Sequence, residues 1–340
     1  MINFLRSYFI VLLLIAFVPV DGAFAVASTD KSLKILHFVL KDISFDKAHE
    51  IVDEAKNAGF STIQVLLTDG LILDKAPWKT SKNAWTKDKF LSWITYIRMQ
   101  GLDFIPEIKL LTHQEKFFQD RYPNLMFNKS TYDPRNESTY LIVFSLIDEI
   151  LEAINPKAIH IGHDELAGFS LDTEKKWLNP NEEILPASLF LQHINRIHNY
   201  LKQKKVATWI WGDMLISPNE FPNMRKKDLH GNLSGYAKEL RNQLPRDIVI
   251  CDWHYADEQP NFPTLSKLQE EGFKVIGVTW KNQKTIRNFS RYAKNHNAYG
   301  MMATTWFHVQ RNEMELVKWI IQTSGLLFQN PDATVLPQPK

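Results

Sequence analysis

The residues of this 340-residue chain best placed to do chemistry are Asp164 and Glu165, adjacent in the stretch AIHIGHDEL at 158–166. Ile159 and Ile161 alternate with His160, which is the period of a strand. The run then passes through Gly162 and His163 into the two carboxylates. A strand that runs out into titratable groups places them at its carboxyl end, where parallel α/β folds build their sites. Two neighbouring carboxylates can divide acid and base work if their surroundings hold one protonated and the other ionised.

The elements that must position this pair alternate along the chain. Short, apolar, β-rich runs predict strands at 34–40, 62–67, 103–108, 158–162, 206–211, 247–253, 274–280 and 299–306. Apolar residues at helical spacing predict helices at 45–59, 86–101, 140–154, 187–201, 234–244, 262–271, 285–295 and 313–328, with Ser44 and Thr86 as N-caps. Pro106, inside the third run, is tolerable only at a bulge or a strand end. Eight strand–helix units in roughly 300 residues fit a single (β/α)8 TIM barrel. Continuous apolar strands suit a sheet buried on both faces. An open doubly wound sheet normally has fewer units and often a glycine-rich loop after its first strand. No linker or repeat divides residues 28–340, and Pro331, Pro337 and Pro339 mark a short frayed tail.

In a barrel, function is written where each strand stops. Strand two stops at Asp69, strand three at Glu107 with His113 just beyond, and strand four at His163, Asp164 and Glu165. Strand five stops at Trp211 and Asp213, strand six at Trp253, His254 and Tyr255, strand seven at Trp280 and strand eight at Trp306. Four consecutive strands thus end in tryptophan. Indole faces stack on the C–H faces of sugars, and carboxylates beside such a wall suit glycoside chemistry, where one acid protonates the leaving oxygen. Neighbours on an extended chain point in divergent directions. Asp164 and Glu165 are therefore expected to be poorly placed as a nucleophile and acid flanking one bond. A substrate carrying its own nucleophile, such as a 2-acetamido group, resolves this.

These residues carry a family resemblance. HIGHDEL resembles the H-x-G-G-D-E signature of the family 20 glycoside hydrolases, the β-N-acetylhexosaminidases. LLTDG at 66–70, IPEIKLLTH at 105–113, YDPRNESTY at 132–140, WGDML at 211–215, DWHY at 252–255 and TTW at 304–306 are similar to further family motifs, in the right order. The resemblance covers roughly residues 34–310. It implies Glu165 as general acid/base and Asp164 as the group that orients and polarises the acetamido nucleophile through an oxazolinium intermediate. Glu165 would then have a raised pKa, and Asp164 would stay ionised. It further implies a supporting pair of Asp69 and His113. Trp211, Trp253, Trp280 and Trp306 would line the sugar pocket, Tyr255 would bond the acetamido oxygen, and Asp213 would take a sugar hydroxyl. The implied partner is a glycan or glycoconjugate ending in β-linked GlcNAc or GalNAc, cleaved in exo fashion with retention. No cofactor and no metal are implied. The chain departs from the pattern at His163, which stands for the second glycine, and at Leu111 and Thr112, which stand for Pro-Gly. Lys41 and Asp42 stand where the family usually places an arginine. The small N-terminal α/β domain common in the family is expected to be lacking.

Charges nearly cancel, at +2, and no long basic block exists, which argues against a nucleic-acid partner. Arg6, the apolar run at 8–18 and the small-x-small triplets at 23–27 predict a signal peptide over 1–27. The run is shorter than the ~20 residues of a spanning helix. The mature chain is thus expected to be exported, periplasmic or secreted, with no membrane partner. The single cysteine, Cys251, sits in an apolar strand as a small hydrophobe. Two alternatives stay open: a metal-dependent barrel hydrolase using His113, His160, His163, Asp164 or His254, and a non-catalytic sugar-binding barrel.

Overall fold

The computed structural model describes residues 32–339, apart from 167–177, 180 and 232–235. The signal segment expected at 1–27 lies outside the described residues. Eight parallel strands close into a barrel in sequence order. They are β1 (Leu33–Leu40), β2 (Thr62–Leu67), β3 (Asp103–Leu110), β4 (Ala158–Gly162), β5 (Ala207–Trp211), β6 (Val249–Trp253), β7 (Lys274–Thr279) and β8 (Gly300–Thr304). Closure runs through β1 and β8, from Leu33 opposite Gly300 to His37 opposite Thr304.

The helices are α1 (Phe45–Asn57), α2 (Lys87–Met99), the short α3 (Phe118–Arg121), α4 (Glu137–Ile154), α5 (Ala187–Gln203), α6 (Tyr236–Gln243), α7 (Pro263–Glu270), α8 (Gln283–Asn295) and α9 (Met314–Gln329). The side chains of Ser44 and Thr86 accept from the backbone N–H of Lys47 and Lys89, so both expected caps form. α4 starts at Glu137, before the expected 140, because Asn136 caps it by accepting from the Ser138 N–H. α7 starts at Pro263, where a missing N–H costs nothing in the first turn.

Strand residues split by the period of two. Leu36, Phe38, Ile63 and Val65 face outward into the layer between strands and helices. Ile35, Ile105, Trp209, Trp211, Val249, Cys251, Ile276 and Met302 fill the interior, and Cys251 is buried as expected. Pro106 lies opposite Val65 of β2, and the pairing of β3 with β4 shifts register between Glu107 and Leu110. The irregularity follows the proline that removes a ladder donor. β7 and β8 stop before Trp280 and Trp306, so these two indoles belong to the strand-end loops. Among the described residues, no helix is long and apolar enough to cross a membrane.

Candidate active site

The end of β4 turns through an unusual backbone. Gly162, His163 and Glu165 have φ of 73°, 71° and 47°, in the left-handed region. For a residue with a side chain this costs about 1–2 kcal/mol. The cost at His163 is offset by hydrogen bonds. Its Nδ1 lies 2.9 Å from the Ile161 carbonyl, and its Nε2 lies 2.9 Å from Nδ1 of His193. The His193 Nε2 in turn lies 2.8 Å from the Tyr132 hydroxyl. A carbonyl only accepts, so His163 carries its proton on Nδ1 and accepts from His193, which accepts from Tyr132. Burial pushes His163 down to about 4 and His193 well below its ordinary value, so both are neutral. This neutral chain is how a histidine occupies a position suited to glycine.

Beyond that turn the charged groups converge. Nε2 of His113, itself at φ 57°, lies 3.1 Å from Asp164 Oδ2 and 3.6 Å from Glu165 Oε2. One donor atom from each of the three lies within 4.8 Å of the others. The expected divergence of neighbouring side chains does not apply. It presumed an extended chain, and the left-handed turn at Glu165 brings both carboxylates to one imidazole. Lys109 from β3 adds an ammonium 3.7 Å from Asp164 Oδ2 and 5.9 Å from the centre of a Trp306 ring.

The two carboxyls are driven apart in acidity. Burial raises the Glu165 pKa, helped by Asp164 and Asp213 and opposed by His113 and His230. Burial would raise Asp164 too. The charges of Lys109 and His113, with the hydrogen bond from His113, outweigh it and hold the Asp164 carboxyl far below the usual range. Among the described residues, Asp164 Oδ1 is buried with no hydrogen-bond partner.

Asp213 was expected to reach a sugar hydroxyl; its oxygens are engaged inside the protein. Oδ2 accepts the backbone N–H of Glu165 at 2.8 Å and lies 2.8 Å from His230 Nδ1. Oδ1 accepts the Trp253 indole N–H at 3.1 Å. Trp253 stacks on Tyr255 at 4.8 Å, and Tyr255 meets Trp280 edge-on at 5.6 Å. The Trp306 indole N–H donates to the Tyr255 hydroxyl at 3.0 Å. Trp211 and Trp306 lie 5.9 Å apart, so the strand-end aromatics form one continuous wall. Asp69 Oδ2 is held by Lys41 Nζ at 2.6 Å, and the tight turn needs Gly70, where a β-carbon would meet the Leu40 carbonyl at 2.1 Å.

Several participants were given no role by the sequence, although Glu107 was placed at a strand end. Glu107 is fully buried beneath the wall, 2.9 Å from His37 Nε2, and accepts from Gln64 at 2.8 Å and from the Trp211 indole at 3.1 Å. His37 and His160 hold it ionised against burial, down to about 2. Lys109 was legible, because it sits two residues from Glu107 and so faces the same way. His230 carried no signal, being 17 positions from Asp213 in a loop. Of the five residues considered as metal ligands, His113 and Asp164 meet. His160 lies against Trp211, His163 bonds His193, and His254 bonds Thr264.

Fold and site together define a (β/α)8 barrel of the glycoside hydrolase class. The chain belongs to glycosyl hydrolase family 20, whose catalytic-domain model matches residues 65–320. It is 21% identical over 202 residues to β-hexosaminidase A of Caenorhabditis elegans, covering 51% of this chain and 35% of that protein. The Caenorhabditis briggsae protein of the same name is 20% identical over 201 residues, with the same two coverages of 51% and 35%. The chain thus spans little more than a third of the length of these relatives. Among solved structures, the exo β-N-acetylglucosaminidase of Vibrio harveyi superposes with a TM-score of 0.63 at 12% identity, over 89% of this chain and 55% of that one. The chitobiase of Flavobacterium johnsoniae superposes with a TM-score of 0.61 at 16% identity, over 87% of this chain and 47% of that one. At these identities the likeness is one of fold.

Proposed function

We propose that this chain is an exo-acting β-N-acetylhexosaminidase that releases terminal β-linked GlcNAc or GalNAc with retention. Glu165 donates its proton to the glycosidic oxygen as the C1–O bond breaks. The substrate's acetamido carbonyl oxygen attacks C1 and closes an oxazolinium ring. Asp164 accepts the acetamido N–H and faces the ring's positive charge. Water then attacks C1, Glu165 takes its proton, and the ring reopens. The tryptophan wall with Tyr255 encloses the sugar, and the signal-like segment supports export.

The observation that carries this reading is the contrast between the adjacent carboxyls. Asp164 is held ionised, with Oδ1 buried and awaiting a donor, while burial favours the protonated form of Glu165. The test is release of chromophore from aryl β-GlcNAc and β-GalNAc, with and without a thiazoline inhibitor. Turnover blocked by the thiazoline is expected. Equal cleavage of the aryl β-glucoside, which lacks the acetamido group, would overturn substrate assistance.

One observation favours a second reading. His113, Asp164 and Glu165 could hold a metal ion, as their donor atoms lie within 4.8 Å of one another. The Lys109 ammonium beside Asp164 competes for that position. Activity abolished by a chelator and restored by a divalent ion would favour the metal.

A further inference from the structure

The proposed mechanism requires a proton on one carboxyl of an adjacent pair and a charge on the other. His113 does not make that choice alone, because its Nε2 faces both, at 3.1 and 3.6 Å. Two carboxylates crowded this closely tend to hold one proton between them. Among the described residues, the other charged groups acting on Glu165 are Asp213 and His230, which bond each other at 2.8 Å. Near Asp164 stand the buried, neutral His160 and His163. Lys109 is the asymmetric element. It reaches from β3, with a side chain 15% exposed, and its Nζ stands 3.7 Å from Asp164 Oδ2.

We propose that Lys109 decides which carboxyl carries the proton: its ammonium, set beside Asp164, holds the negative charge there and leaves the proton to Glu165. The inference rests on the reading above and adds a residue to it. Lys109 is a positioning residue, since it acts on the reacting atoms through Asp164. Its stem crosses toward Trp306, whose ring face at 5.9 Å steadies the cation electrostatically. Without the ammonium, the buried Asp164 carboxylate would lose a strong reason to stay ionised and would compete with Glu165 for the proton.

The experiment is the pH profile of kcat/KM on aryl β-GlcNAc for the full chain, Lys109→Met and Lys109→Arg. In Lys109→Met the acid limb should move up by about one pH unit or more, with roughly a tenfold loss at its acid end. Lys109→Arg should keep the native limb, since it keeps the charge. A purely structural role would lower kcat/KM at every pH without moving the limb, and that outcome overturns the proposal. A second measurement needs no turnover. With 13C at Asp and Glu carboxyls, the signal removed by Asp164→Asn should titrate below the one removed by Glu165→Gln in the native chain, and Lys109→Met should move the Asp164 signal up. The reverse order also overturns the proposal. A native chain that cleaves no 2-acetamido glycoside counts against the hexosaminidase reading, while an Asp164 signal that does not move in Lys109→Met still overturns the role of Lys109.

Discussion

Asp213 Oδ2 accepts the backbone N–H of Glu165 at 2.8 Å while lying 2.8 Å from His230 Nδ1. One carboxylate oxygen thus ties the left-handed turn of β4 to the loop after β5. The other oxygen holds Trp253, so acid and sugar wall share an anchor. Asp213→Ala should leave the Glu165 N–H and the Trp253 indole without their acceptor. A hydrogen bond to a charged group is worth about 1.5–3 kcal/mol, so kcat/KM should fall roughly 10- to 100-fold. His230→Gln, which keeps Asp213, should cost less. An Asp213→Ala enzyme within twofold of native would remove Asp213 from the machinery.

Glu165→Gln should lose most activity, and the loss should be smaller on aryl glycosides with good leaving groups, which need less protonation. Asp164→Asn should lower ring formation whatever the leaving group. It should also weaken thiazoline binding by about 1.5–3 kcal/mol, the worth of a charged hydrogen bond. Equal leaving-group sensitivity in the two variants would contradict separate roles for the two carboxyls.

The barrel was legible because each strand is a short apolar run and several helices open on a capping side chain, as at Ser44 and Thr86. The pair Asp164–Glu165 was legible because strand ends are where parallel barrels expose chemistry. What the sequence hid was direction. The left-handed turns at His163 and Glu165 are set by tertiary partners, His193 and Asp213, that lie 30 and 48 positions away. The same turns defeat any inference from extended-chain alternation. Asp213 was read as a sugar ligand because it follows a strand-end tryptophan, and its three protein partners, the Glu165 N–H, His230 and Trp253, are distant in the sequence and meet it only in the fold.

The His163–His193 contact gives a stability prediction. In the native background, His193→Phe leaves His163 Nε2 buried without its donor, which should cost about 1–3 kcal/mol. In a His163→Gly background the same change should cost less, because only the Tyr132 hydroxyl then loses its partner and glycine needs neither the left-handed allowance nor the hydrogen bond. Urea unfolding of the four proteins should give a coupling energy of roughly 0.5–3 kcal/mol. Additive effects would mean that the imidazole pair does not stabilise the turn.

Buried histidines should also set the pH dependence of stability, with opposite signs on the two sides. His160 and His163 are pushed down to about 4 by burial, and His193 well below its ordinary value. The unfolded chain takes up these protons near pH ~6.5, so their contribution is present above that pH and lost as the pH falls toward 4. Each such histidine adds a slope of about 1.4 kcal/mol per pH unit in that window. His254 behaves oppositely. Burial alone would lower its pKa. Asp252, 3.2 Å from Nε2, together with Asp228 and Asp257, raises it on balance, and Thr264 bridges the pair by donating to Asp252 at 2.7 Å. A raised folded value contributes fully below pH ~6.5 and is lost as the pH rises through that folded value. The melting temperature should therefore fall on the acid side from pH ~6.5 to 4, and His254 should add a separate decline on the alkaline side. His254→Gln should flatten the alkaline decline and leave the acid one unchanged. If both limbs survive that substitution intact, the imidazolium is not what binds β6 to α7, and the alkaline loss arises elsewhere.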